Sequence, residues 1–160
     1  MKKHVISILV ENQAGVLSRV SGLFSRRGYN IDSLSVGETE NPEYSRITVV
    51  CSGDAMIIDQ IKKQLQKIID AVSVIELYPD QSVYRELALI KIFADPDRRS
   101  EISGVVDIFR AKIIDVSAAT ITVEMTGETS KIDAFIELVE SYGIKEIART
   151  GLTGLTRGTN

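Results

Sequence analysis

Residues 47–59, ITVVCSGDAMIID, decide the fold, because nearly the same stretch returns at residues 121–133 as ITVEMTGETSKID. Aligned without a gap, the two stretches share Ile, Thr, Val, Gly, Ile and Asp at an offset of 121 − 47 = 74 residues. Solenoid repeats have periods of about 20 to 50 residues, so this longer period indicates a repeated module. The sequence therefore predicts two similar folds in tandem. A feature that only one copy carries is a better candidate for function than features that packing explains in both.

The first copy predicts the order strand, helix, strand, strand, helix, strand. Apolar runs and apolar residues at helical spacing predict strands at 5–10, 31–36, 45–51 and 72–77 and helices at 15–27 and 54–70, with Gly28 as a C-terminal cap. The second copy repeats the order, with strands at 87–94, 113–117, 120–125 and 144–148, a helix opened by Asp95 and Pro96, and a helix ending at Gly143.

This element order predicts an α+β fold of two tandem ferredoxin-like βαββαβ modules, each an antiparallel sheet with helices on one face. Residues 79–82, PDQS, are the expected linker, so the modules should span 1–79 and 84–160. Each module alone would be marginally stable, but a fragment ending near Asp80 should still dimerise and bind its ligand. The open edges of such sheets are usually covered by tandem packing or by a second copy of the chain.

Composition describes an ordinary globular protein, with 44% hydrophobic and 26% charged residues. A net charge of −3 argues against a general nucleic-acid or membrane-surface binder. The single cysteine, Cys51, lies in an apolar strand and is expected to be buried, which fits a reducing compartment. No apolar stretch is long enough to suggest a membrane span or a signal core, so a cytoplasmic location is expected.

The sequence contains no recognisable catalytic constellation. Its one histidine, His4, opens a strand and is expected to face solvent, without a second His or Cys nearby in sequence for a metal site. The acidic residues are spread over helix faces and turns, and neither a Walker loop nor a dinucleotide fingerprint is present. The central strands also lack the aromatic residues with which RNA-recognition modules stack bases. We therefore expect no catalytic residue and no metal ligand.

The loop between the first strand and the first helix, residues 11–18, is the feature that only the first copy carries. Gly15 precedes the helix, whose free N–H groups and positive dipole can receive a carboxylate. Asn12 can either cap the helix or bind a zwitterion, and Asn30 after the helix is equally ambiguous. A plain turn followed by a helix cap explains the same residues. The corresponding second loop, residues 93–100, has proline and arginine in place of the glycine.

Residues 11–35, ENQAGVLSRVSGLFSRRGYNIDSLS, closely resemble the start of the ACT domain in the small, regulatory subunit of acetolactate synthase (acetohydroxyacid synthase). The resemblance covers essentially the whole chain. It continues in SRITVV at 45–50, RELALIKI at 85–92, IFRAKIIDV at 108–116 and ARTGLTGLTRG at 148–158.

The resemblance implies a subunit without an active site or cofactor of its own. Its expected partner is the catalytic subunit, which holds thiamine diphosphate, Mg²⁺ and FAD and converts two pyruvates to 2-acetolactate and CO₂. The small subunit would raise that activity and confer feedback inhibition in branched-chain amino acid biosynthesis (valine and isoleucine). The effector is usually valine, and the sequence does not choose between valine, leucine and isoleucine.

The resemblance also implies a homodimer of ACT domains with the effector at their interface. It places one side of the site on Asn12, Gly15, Val16 and Leu17 of one protomer. The other protomer would supply the remaining residues, which are Asn30 and Ile31.

A small enzyme of the same fold, such as an acylphosphatase-like hydrolase, is the competing interpretation. It would need an arginine in the first loop to hold an anion. Arg19 is the nearest, and helical spacing places it on the polar face of the helix rather than in the loop.

Overall fold

The computed structural model describes residues 2–158. Its contacts divide these residues into two compact units. The first unit comprises residues 2–84 together with 152–158, and the second comprises residues 85–151. Both units have the predicted βαββαβ order.

The first unit is a four-stranded antiparallel sheet with two helices. Its elements are β1 (Lys3–Glu11), α1 (Val16–Arg27), β2 (Ile31–Glu38), β3 (Tyr44–Ser52), α2 (Ala55–Gln66) and β4 (Ala71–Leu77). The strand order is β2-β3-β1-β4, so β2 lies at an edge of the sheet as this topology predicts. The edge position leaves one side of the β2 backbone without a partner strand in this unit.

Local sequence explains where the helices of this unit begin and end. Gly28 ends α1 in the left-handed conformation, with φ of 70°, as predicted. Asp54 caps α2 by accepting a hydrogen bond from the N–H of Ile57 at 2.9 Å. Helix α2 ends at Gln66, earlier than predicted, and a turn leads from there into β4. The sheet and both helices pack around one hydrophobic core. Its buried residues include Ile6, Ile8, Val20, Phe24, Ile47, Val49, Ile58 and Ile61.

The second unit repeats the architecture. Its elements are β5 (Ser82–Phe93), α3 (Arg99–Ile108), β6 (Lys112–Val116), β7 (Thr120–Gly127), α4 (Thr129–Val139) and β8 (Ile144–Arg149), in the sheet order β6-β7-β5-β8. The first three residues of β5, 82–84, belong to the first unit. Residues 96–98 form a 3₁₀ turn, so α3 begins three residues after Pro96, later than predicted. The buried Ile121 and Val123 of β7 take the places that Ile47 and Val49 occupy in β3.

The C-terminal residues return to the first unit, which the sequence did not predict. Strand β9 (Thr153–Thr156) pairs with β5. Leu152, only 8% exposed, packs in a small cluster with Val5, Val50, Leu77 and Tyr84. Because side chains alternate along a strand, this cluster covers the sheet face opposite the helices.

The position of the C-terminal residues changes the expected division of the chain into modules 1–79 and 84–160. Residues 152–158 group with the first unit and not with the expected second module 84–160. A fragment ending near Asp80 would lack both Tyr84 and Leu152 and would leave Val5 and Val50 uncovered. Such a fragment should therefore be less stable than the full chain, and its dimerisation and ligand binding stay a prediction.

Candidate functional site

The loop between β1 and α1 is fastened to its neighbours by backbone hydrogen bonds. The N–H of Glu11 donates to the carbonyl of Asp70 at 2.9 Å, and the N–H of Asn12 donates to the carbonyl of Glu43 at 2.7 Å. The Asn12 amide nitrogen donates to Glu38 Oε1 at 3.1 Å and to the Pro42 carbonyl at 3.0 Å. Asn12 therefore ties the loop to the turn between β2 and β3 and does not cap the helix.

Gly15 occupies the N-cap position with φ of 85°, a left-handed conformation that glycine adopts without strain. Within the described part of the chain, no side chain caps this helix start. The N–H groups of the first turn therefore depend on other acceptors. That of Val16 reaches the Gln13 carbonyl at 3.4 Å, and the Val16 side chain is buried. The side chain of Leu17 is 43% exposed beside the loop.

Arg19 lies in α1 and is exposed, as predicted, but its side chain reaches back to the loop and adds a cation there. Its Nη1 lies 3.2 Å from the point where a β-carbon on Gly15 would stand. Its Nε donates to Asp70 Oδ2 at 2.8 Å, and its Nη2 bonds the same oxygen. Asp70 is 6% exposed, so the ion pair anchors the guanidinium. Helical side chains lean toward the N-terminus, and this direction with the four-residue spacing from Gly15 could have indicated the contact.

Asn30 and Ile31 lie at the far end of α1 and at the start of β2. Asn30 is exposed, and its amide nitrogen donates to Asp32 Oδ1 at 2.9 Å. Ile31 is half-buried against the core and pairs with Cys51 across the sheet. The helix between the loop and Asn30 is roughly 18 Å long at 1.5 Å per residue. A single chain therefore does not bring the two groups of predicted site residues together.

His4 is not the solvent-facing residue that the sequence suggested. Its side chain is 13% exposed, and its Nδ1 lies 2.8 Å from Glu76 Oε2. Lys62 donates to Glu76 Oε1 at 3.2 Å. Burial acts to raise the pKa of Glu76, but the hydrogen bonds from His4 and Lys62 outweigh it and lower the pKa below its ordinary value. The cluster joins β1, β4 and α2, and it is a structural ion-pair network.

Cys51 is fully buried, as predicted. Burial, with the nearby charges of Asp32 and Glu76, raises the pKa of its thiol to about 11, so the thiol stays neutral at ordinary pH. Within residues 2–158, no three side chains of the metal-binding types cluster together. No helix in that range combines the length and the apolar character needed to cross a bilayer.

Comparison with known proteins gives one consistent result over both units. Residues 6–73 match the family model described as "AHAS small subunit-like ACT domain". Residues 85–158 match the model described as "Small subunit of acetolactate synthase".

Full-length relatives agree with the family models. A probable acetolactate synthase small subunit from Archaeoglobus fulgidus is 51% identical over 98% of both chains. The acetolactate synthase small subunit of Bacillus subtilis is 49% identical over 98% of this chain and 92% of the relative. The crystal structure of the small subunit from Thermotoga maritima covers 100% of both chains at 44% identity, with a TM-score of 0.91. From this identity over the whole length, together with the shared fold, it follows that the chain belongs to the family of acetolactate synthase small subunits.

Proposed function

We propose that this chain is the regulatory subunit of an acetolactate synthase. It binds the thiamine-diphosphate-dependent catalytic subunit and raises its rate of acetolactate formation from two pyruvates. It also makes that rate sensitive to a branched-chain amino acid, with valine as the leading effector. Thiamine diphosphate, Mg²⁺ and FAD belong to the catalytic subunit in this proposal. Membership of the small-subunit family supports it.

The observation that carries the effector site is the contact between Asn12 and Glu38 at the end of edge strand β2. If two copies pair antiparallel through the whole of β2, about a two-fold axis between Leu34 and Ser35, Ile31 of one copy comes opposite Glu38 of the other. Within that second copy, the Asn12 amide nitrogen lies 3.1 Å from Glu38 Oε1. Such a dimer therefore brings Asn30 of the partner subunit to the loop that carries Gly15, which the single chain keeps far away.

The chemistry of the combined site suits a zwitterionic amino acid. The N–H groups at the start of α1 and the positive end of its dipole favour the carboxylate. No acidic residue stands in the first turn of α1 to oppose it. The Asn30 carbonyl oxygen can accept hydrogen bonds from the ammonium. The partly exposed Leu17 and the half-buried Ile31 supply apolar surface for a branched side chain.

Acetolactate formation by the catalytic subunit from the same genome tests the proposal directly. The rate is measured for that subunit alone, after addition of this chain, and after addition of chain and valine, with leucine and isoleucine in parallel and D-valine as a control. We expect the chain to raise the rate and L-valine to lower it again. A rate unchanged by the chain would contradict the proposed partner, and an activated rate insensitive to all three amino acids would contradict the effector site.

Melting temperature separates this proposal from the hydrolase interpretation. A ligand that binds only the native state stabilises it by RT ln(1 + [L]/Kd), so valine should raise the melting temperature by an amount that grows with the logarithm of its concentration relative to Kd. The Arg19 guanidinium does reach the first loop, although two of its three nitrogens are held by Asp70. Stabilisation by phosphate without any by valine would favour the hydrolase.

A further inference from the structure

A β-bulge interrupts the edge strand β2 beside Asn30. Ile31 pairs with Cys51 of β3, and Ser33 pairs with the adjacent Val50, so Asp32 is an extra residue on β2. A bulge leaves its extra residue out of the ladder and turns its side chain in a new direction. The irregularity therefore sets where the Asp32 carboxylate points.

The Asp32 carboxylate connects Asn30 to the end of β3. Its Oδ2 accepts a hydrogen bond from the Ser52 hydroxyl at 2.6 Å, and its Oδ1 accepts one from the Asn30 amide nitrogen at 2.9 Å. Ser52 closes a regular strand of the central sheet, so one end of this chain of bonds is fixed to the fold. The other end fixes the amide of Asn30.

The orientation of that amide decides which ligand group Asn30 can bind. A carboxylate at neutral pH only accepts hydrogen bonds, so it holds the NH₂ side of the amide. An ammonium group only donates, so it needs the carbonyl side. Without Asp32, the amide could present either side to a ligand.

We propose that Asp32 is a positioning residue of the effector site, which keeps the Asn30 carbonyl oxygen turned toward the ammonium of an α-amino acid. This inference rests on the proposed function. It adds a source of selectivity, because ligands that carry an ammonium benefit from the fixed amide and deaminated analogues do not. Asp32 acts through Asn30, and it is not itself placed against the ligand.

A double-mutant cycle on the full chain tests this role. Valine affinity is measured by calorimetry for the wild type, Asp32→Ala, Asn30→Ala and the double variant, with Asp59→Ala as the control. Asp59 is likewise an exposed aspartate, but it lies on α2 and pairs with Lys63 at 3.0 Å instead of with Asn30. Unfolding of each variant without ligand, and its activation of the catalytic subunit, report any general structural damage.

We expect Asp32→Ala to weaken valine binding by about 5- to 20-fold, as the loss of a charge-assisted hydrogen bond in a network suggests. In the Asn30→Ala background the same change should have almost no further effect, because the group it positions is gone. The free energy of unfolding without ligand should stay near the wild-type value in both backgrounds.

Three results would overturn the role of Asp32. These are wild-type affinity in Asp32→Ala, equal losses with and without Asn30, or a matching loss in Asp59→Ala. Equal losses would mean that the carboxylate acts on the ligand by its charge alone. A wild-type chain that binds none of valine, leucine and isoleucine would instead contradict the proposed effector site, so the two failures are distinguishable.

Discussion

Leu152→Ala should destabilise the first unit although the residue lies near the end of the chain. Leu152 is 8% exposed in the cluster with Val5, Val50, Leu77 and Tyr84. The change removes three carbon atoms, which is worth roughly 2.4 kcal/mol at about 0.8 kcal/mol per buried methylene. The cavity left behind adds to this loss, and the small cluster should partly collapse into it. We therefore expect a loss of about 2.5 to 3.5 kcal/mol in the free energy of unfolding.

Leu155→Ala is the matched control, because it is the same substitution in β9 at a side chain that is 59% exposed. Its expected cost is below about 0.5 kcal/mol. Urea unfolding gives the two losses, and hydrogen exchange locates them. In Leu152→Ala the amides of the paired Val5 and Val50 should exchange faster, whereas those of β7 in the second unit should not. Similar small losses in both variants would refute the conclusion that the C-terminal residues complete the first unit.

Three further substitutions test the loop, the second strand and the ion-pair cluster. Asn30→Ala should weaken valine binding by roughly 1 to 3 kcal/mol while activation of the catalytic subunit survives, and calorimetry with the activity assay would reveal an equal loss of both if Asn30 is only structural. Gly15→Asp should abolish valine inhibition because the new carboxylate then occupies the position proposed for the carboxylate of the effector. At φ of 85° it should cost about 1 kcal/mol of stability instead of adding any, and inhibition at the wild-type valine concentration would count against the site. The pKa of Glu76 is lower in the folded state than its ordinary value of 4.5, so the ionised carboxylate stabilises the fold at pH values above 4.5. This stabilisation is lost as the pH falls through the lowered pKa. Urea unfolding at about pH 6 and about pH 3.5 should therefore show a steeper loss for wild type than for Glu76→Gln, and identical pH profiles would rule this contribution out.

The elements that sequence predicted well depend on local rules. Gly28 stops α1 because a left-handed cap favours glycine, and the apolar face of α1 follows from its spacing. The edge position of β2 follows from the element order alone. The repeat between residues 47–59 and 121–133 specified both units, since the same alternation buries the same face of β3 and β7.

The features that sequence missed depend on contacts between distant residues. His4 meets Glu76 at a separation of 72 residues, and Arg19 meets Asp70 at a separation of 51. Neither partner could be identified from spacing. Strand β9 has four residues and no extended apolar pattern, and it is held by pairing with β5 and by Leu152. The same limit applies to the candidate effector site, because its two groups of residues lie at opposite ends of α1 in a single chain.

A mixed dimer tests most directly whether the effector site is shared between two copies. Gly15→Asp and Asn30→Ala chains are given different tags, produced together and purified through both tags in turn. In the mixed dimer one site combines both defects, and the other combines an unaltered loop with an unaltered Asn30. Calorimetry should then find one valine site of wild-type affinity per mixed dimer, although neither parent dimer has any. A mixed dimer that binds valine no better than its parents would contradict a site built across the two-fold axis.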